Sequence, residues 1–178
     1  MLYIILLSHK FQWKRDLPKS SQFKNYLKEK IKTLNIDLIA EEYSKEALAW
    51  VNEKTTIAQD IALEFNIVHK FCDPGKEARK RIGYISRAKI KQNLGFKEPI
   101  EFDTPEDNEI MKEQRKFYHK RERYWLEQLT PYIDKNILFL CGFDHIDKSD
   151  TFESLIKEFE FNYEILPERF NLNLLKKT

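Results

Sequence analysis

In Asn136-Ile137-Leu138-Phe139-Leu140-Cys141 the asparagine leads into an unbroken apolar run that stops at Gly142-Phe143-Asp144-His145. A short run that is apolar on consecutive positions suits a strand covered on both faces, the situation in a parallel sheet flanked by helices. Four further runs are short and rich in Ile, Leu, Val or aromatic residues: Leu2 to Leu7, Asp37 to Ala40, Asn66 to Lys70 and Phe161 to Leu166. Segments with helical spacing separate them. That alternation predicts an α/β fold: a single domain over residues 1–178 with a mainly parallel, four- to five-stranded sheet flanked by helices.

The helical segments carry their own signals. Phe23, Tyr26, Leu27, Ile31 and Leu34 recur at spacings of three and four, with Ser20 or Ser21 as the candidate cap. Ser44 and Thr56 open two more helices, the second presenting Ile57, Ile61, Ala62 and Phe65. Residues 73–104, punctuated by Pro74-Gly75, Gly83, Gly95 and Pro99, read as an irregular insertion with one short basic helix. From Pro105 to about Tyr132 no Gly and no Pro intervenes before Pro131, which predicts one long helix capped by Thr104. Thr151 to Glu160 forms another, with Phe152, Leu155, Ile156 and Phe159 inward.

A chain of 178 residues with 42% hydrophobic and 13% aromatic residues has enough apolar surface for a sizeable core. Its 31 Lys and Arg are nearly balanced by 29 Asp and Glu, so no net field favours a nucleic-acid partner; basic runs such as Lys76 to Arg81 and Lys112 to Arg123 read first as solvated helix faces. Cys72 and Cys141 sit in or beside apolar stretches as free thiols, which fits a reducing, cytoplasmic setting. Leu2 to Leu7 reads as a strand rather than a targeting segment, and no stretch reaches the ~20 apolar residues of a membrane helix. Gly-rich phosphate loops, GxSxG, paired CxxC and HExxH are all missing, which removes the usual nucleotide-binding, serine-hydrolase and zinc-finger readings.

In a parallel sheet the residues that follow the strands converge on one edge. Here they are Ser8 and His9; Glu41, Glu42 and Tyr43; His69, Cys72 and Asp73; and Gly142, Asp144 and His145. Collecting imidazoles and carboxylates costs desolvation and like-charge repulsion, so their gathering at one edge points to use. On the long helix, Arg121 and Glu122 interrupt the stripe of Phe117, Tyr118, Trp125 and Leu129, so both partly face inward. Arg121 can tie helix to sheet, orient Glu41 or Glu42, or hold an anionic substrate, whereas His119 belongs to the exposed face.

The pieces Leu6-Leu7-Ser8-His9, Ile39-Ala40-Glu41-Glu42, Arg121-Glu122 with Trp125, and Leu138 to His145 resemble, in that order, the erythromycin-esterase, ChaN and TIKI/TraB-like superfamily. Position 6 carries Leu where the first GxxH-type motif of that superfamily has Gly. The resemblance implies a site edge shared by proposed metal-dependent hydrolases, an esterase and haem-binding proteins. The expected activity is a small hydrolase acting on a small-molecule or peptide substrate. His9, Glu41, Glu42, Arg121, Glu122 and His145 are its candidate catalytic residues, and His69, Asp73, Asp144, Tyr118 and Trp125 support them. His9 and His145 with Glu41 or Glu42 would bind zinc or another transition metal, or act as general base and orienting groups. Two alternatives remain: magnesium-dependent phosphoryl transfer or nuclease chemistry on Glu41, Glu42, Asp144 and Asp147, and a non-catalytic pocket of His9, His145, Tyr118 and Trp125 for a ligand such as haem.

Overall fold

In the computed structural model the described residues are 1–17, 19–97, 100, 104–149 and 151–170. They form an α/β fold around one all-parallel sheet of five strands: β1 (Leu2–Leu7), β2 (Leu38–Glu41), β3 (Val68–Phe71), β4 (Ile137–Cys141) and β5 (Tyr163–Phe170). Their spatial order is β3-β2-β4-β1-β5, so β4 lies between β1 and β2. Its register pairs Ile137 with both Leu2 and Leu38, and β4 is buried at every position.

Alternation along the strands makes two cores. On one face Ile5, Leu7, Ile39, Leu138 and Leu140 meet α1 (Lys10–Trp13), α2 (Ser20–Thr33) and α4 (Ile57–Glu64), through residues such as Phe11, Phe23, Leu27 and Ile61. On the other face Leu2, Ile4, Leu38, Phe139 and Cys141 meet α8 (Tyr118–Leu129) and α10 (Thr151–Glu158) through Trp125, Leu126, Phe152 and Ile156. The remaining helices are α3 (Lys45–Trp50), α5 (Lys76–Arg81), α6 (Arg87–Asn93), α7 (Pro105–Arg115) and the single turn α9 (Asp144–Asp147).

Ser44, Thr56 and Thr104 cap α3, α4 and α7, each accepting the backbone N–H three residues on. Ser20 and Ser21 do not cap α2: Lys19 is the capping residue, and Ser20 Oγ donates to the Lys14 carbonyl. The insertion contains two short helices, α5 and α6, rather than one; residues 98, 99 and 101–103 of it lie outside the described residues. The long helix is broken at Lys116-Phe117, where the N–H groups of both residues turn to carbonyls three residues back. The break lets α7 pack on α6 while α8 lies against the sheet and α10. A 3₁₀ turn, Thr130–Tyr132, ends the segment. Strand β5 continues past Pro167 to Phe170; it borders only β1, with a register shift opposite Ile4 to Leu6, and an edge strand with a bulge tolerates a residue without N–H. Positions 171–178 of the tail lie outside the described residues. Among the described residues no helix is long and apolar enough to cross a membrane.

Candidate functional site

Strand β2 leads into two consecutive carboxylates that point to opposite faces of the sheet, as strand geometry requires. Glu42, fully buried, turns toward α8 and the end of β4. Its Oε2 accepts the Gly142 N–H at 2.7 Å. Its Oε1 faces three cationic or potentially cationic groups: Arg121 Nη1 at 2.8 Å, His145 Nε2 at 3.3 Å and His9 Nε2 at 3.5 Å. These are ion-pair distances, but among the described residues no donor is well aligned for a hydrogen bond on Oε1. Burial works against the charge on Glu42, yet Arg121, His145 and His9 outweigh it and hold the carboxyl well below the usual carboxylate range.

Each imidazole is oriented through its other nitrogen. His145 Nδ1 lies 2.6 Å from Glu122 Oε1. A carboxylate only accepts, so Nδ1 carries the proton and Nε2 points at Glu42. Glu122 is itself fully buried and accepts from the Thr151 hydroxyl. The His145 ring is stacked on Tyr118 with centroids 4.3 Å apart and meets the edge of Trp125 at 4.6 Å. Burial opposes protonation of His145, but the Glu42 charge and the polar contacts with Glu122 and Glu42 prevail and raise its pKa to about 9.

His9, at the start of α1, makes the same kind of contact from the opposite side. Its Nδ1 is 2.8 Å from Gln12 Oε1, and Gln12 Nε2 donates to Glu41 Oε2 at 3.2 Å. Because Glu41 accepts only, the amide is fixed with its oxygen toward His9, and His9 in its neutral form keeps its proton on Nδ1. The Nε2 lone pair is then presented toward the cleft. Unlike His145, the His9 side chain is 48% exposed. Gly142 permits this approach, since a Cβ there would stand 3.2 Å from His9 Nε2 and 3.4 Å from Glu42 Oε2.

Arg121 closes the arrangement from α8. Its Nε donates to Asp73 Oδ1, and Asp73 also accepts from Arg79 Nη2 at 2.6 Å and lies 3.4 Å from Trp125 Nε1. Burial opposes the charge on Arg121, but Asp73 and Glu42 more than compensate and hold its pKa well above the ordinary value. Arg121 therefore orients Glu42, the second of the roles its position in the helix stripe suggests.

The expectation that Glu41 shares the cluster is corrected by its placement. Glu41 lies on the α1 and α4 face, where it accepts from Thr56 and from Gln12 and contacts His69 Nε2 at 2.7 Å. His69 sits inside β3, in register with Ile39, and belongs to Glu41 rather than to the cleft. Asp144 lines the cleft but lies 3.0 Å from Lys148 and 3.6 Å from Arg115, and Asp147 pairs with Arg169. Hence the four carboxylates of the magnesium reading do not face one point. Among the described residues no set of three His, Cys, Asp or Glu side chains is arranged to hold a metal ion, and the Arg121 guanidinium lies on the carboxylate oxygen both imidazoles face. The donor set does not fit a divalent cation. Trp125 is fully buried against His145, Phe139 and Phe152, so it does not line an open ligand pocket of the kind haem requires. His119 is exposed, and both cysteines are buried free thiols whose pKa values burial pushes up.

The sequence alone does not single out Gln12 or Thr151, nor Thr56 beyond its role as a cap. Only Gln12 carries a signal, its position three residues after His9.

The cluster opens into a cleft of about 480 Å³ lined by His9, Glu42, Tyr118, Arg121, Gly142 and His145 among others. That volume is in the range of small-molecule sites. His145 also makes the fold pH-dependent. Its raised pKa contributes stability that is complete below ~6.5, the unfolded value, and is lost as pH rises through about 9. Across that window the unfolding free energy should fall by up to about 1.4 kcal/mol per pH unit, read from urea midpoints. The slope should disappear in His145→Asn, and a wild-type slope equal to the variant's would refute this assignment. No protein-family model, no curated protein and no solved structure matches this chain.

Proposed function

We propose that the protein is a hydrolase of small-molecule or peptide substrates that activates water without a metal. The observation that carries this reading is the split between two imidazoles on one carboxylate oxygen: His9 Nε2 and His145 Nε2 both face Glu42 Oε1, with Gln12 and Glu122 holding their Nδ1 atoms. His9 is the half-exposed one, and its Nε2 takes the proton of a water entering the cleft. His145, kept protonated at neutral pH by Glu42 and Glu122, supplies positive charge beside the developing oxyanion and a proton for the leaving group. Glu42 stays ionised and accepts a hydrogen bond from the attacking water on Oε1, while Arg121 and Gly142 keep it in place. The resemblance to the erythromycin-esterase and TIKI/TraB-like proteins supports the same edge and the same residues, except Glu41.

The test is hydrolysis of a panel of p-nitrophenyl carboxylate and phosphate esters by protein dialysed against a chelator. At least one substrate is expected to be turned over above the buffer rate, with no gain on adding zinc, manganese or magnesium. Absence of turnover across the panel would overturn the proposal. Turnover only with a restored cation would overturn its metal-free form.

A further inference from the structure

Beside the cleft, residues 76–91 hold seven Lys or Arg against one acid, Glu77, a local excess that the balanced total conceals. Two adjoining grooves lie along this segment. The first, about 540 Å³, is lined by Trp50, Lys76, Arg79, Lys80, Tyr84 and Lys89. A second, about 400 Å³, shares Trp50, Arg79, Tyr84 and Ser86 with it and reaches Gln114 and Arg121, which also line the catalytic cleft. One carboxylate, Glu46, borders the first groove, where it accepts the Lys76 backbone N–H at 2.8 Å.

The aromatic residues are placed unusually for a solvated basic face. Trp50, the last residue of α3, is 77% exposed, although a tryptophan normally finds burial. Tyr84 lies in both grooves with the Arg79 and Arg121 guanidinium carbons 5.8 and 5.7 Å from its ring centre. An exposed indole among cations is the combination that binds unpaired bases and the phosphates between them: the ring stacks on a base and the cations follow the backbone. An acidic peptide offers matching charge but no planar ring at each step. A duplex keeps its bases stacked and inaccessible.

We infer that this groove binds single-stranded nucleic acid, with one base on Trp50, the phosphates along Lys76, Lys80 and Lys89, and the strand leading toward Gln114 and Arg121 at the cleft mouth. The inference goes beyond the hydrolase reading and stands without it, because binding does not require turnover.

The experiment is fluorescence anisotropy of a labelled oligothymidylate of about 12 nucleotides, with the wild-type chain and with His9→Ala. Both are expected to bind equally, and affinity should drop steeply between about 50 and about 200 mM salt. Trp50→Ala should weaken binding about tenfold or more. Replacing Lys76, Lys80 and Lys89 together by Gln should flatten the salt slope by about 2. All four positions are on the surface groove, so circular dichroism should show unchanged folding. No binding at low salt, affinity indifferent to Trp50→Ala in a folded chain, or equal competition by polyglutamate or by a mononucleotide would each overturn the inference.

Discussion

Changing His9 to alanine is expected to lower kcat about a hundred- to ten-thousandfold, the range seen when a general base is removed, on any substrate the wild-type chain hydrolyses. The fold should survive it. The His9 side chain is half exposed and makes one strong contact, to Gln12, so its loss leaves no buried charge without partners. Glu42 still has Arg121 at 2.8 Å and the Gly142 N–H. A pH profile tests the role of His145: the rate should fall at high pH as His145, its pKa raised to about 9, loses its proton. A variant that keeps more than half the wild-type rate would remove His9 from the mechanism.

Arg121→Ala is expected to have the largest effect on stability, about 3–5 kcal/mol, the range for removing one partner of a buried ion pair. Arg121 is the common cation of two buried carboxylates, Glu42 and Asp73, brought in from different parts of the chain. Without it Asp73 retains Arg79, but Glu42 is left with the neutral Gly142 N–H and imidazoles at 3.3 and 3.5 Å. Arg121→Lys should recover only part of the loss, because a single ammonium cannot span both acids as a guanidinium does. Urea unfolding measures this; a loss below about 1 kcal/mol would mean that the pair is screened like a surface salt bridge. Combining Arg121→Ala with Glu42→Gln should cost less than the sum of the two single changes, since each removes the other's partner.

The elements and the site were legible in the sequence to different depths. Apolar runs marked all five strands, with β1 fixed to the residue and the ends of the others displaced by at most four positions. What the runs do not carry is the identity of the neighbouring strand: nothing in Ile137 to Cys141 says that it lies between β1 and β2. The break at Lys116-Phe117 was equally hidden, because it has neither Gly nor Pro and arises from the separate packing of α7 and α8. At the site, His9, Glu42, Arg121, Glu122 and His145 could be named because their charge is conspicuous beside strand ends or in a helix stripe. Choosing between Glu41 and Glu42 needed the register: consecutive residues face opposite ways, and the two-residue alternation says only that one of them enters the cleft. Asp73, expected as a support, is the second anchor of Arg121, whereas His69, expected beside it, serves the other face. Gln12 and Thr151, uncharged, left little periodic trace.

The position of β4 between β1 and β2 has a consequence for synthesis and folding. Until residues 137–141 leave the ribosome, β1 has neither of its partners and only β2 and β3 can pair. The nascent chain therefore carries unsatisfied strand edges through most of its translation, the condition under which chains mis-pair or aggregate. The late strand also brings Gly142 and His145, so insertion of β4 completes the contacts of Glu42 as it joins the two halves of the sheet. Folding should accordingly be slow for the chain's size, as expected where non-local parallel pairings dominate, and the cleft should form at the same rate as the core.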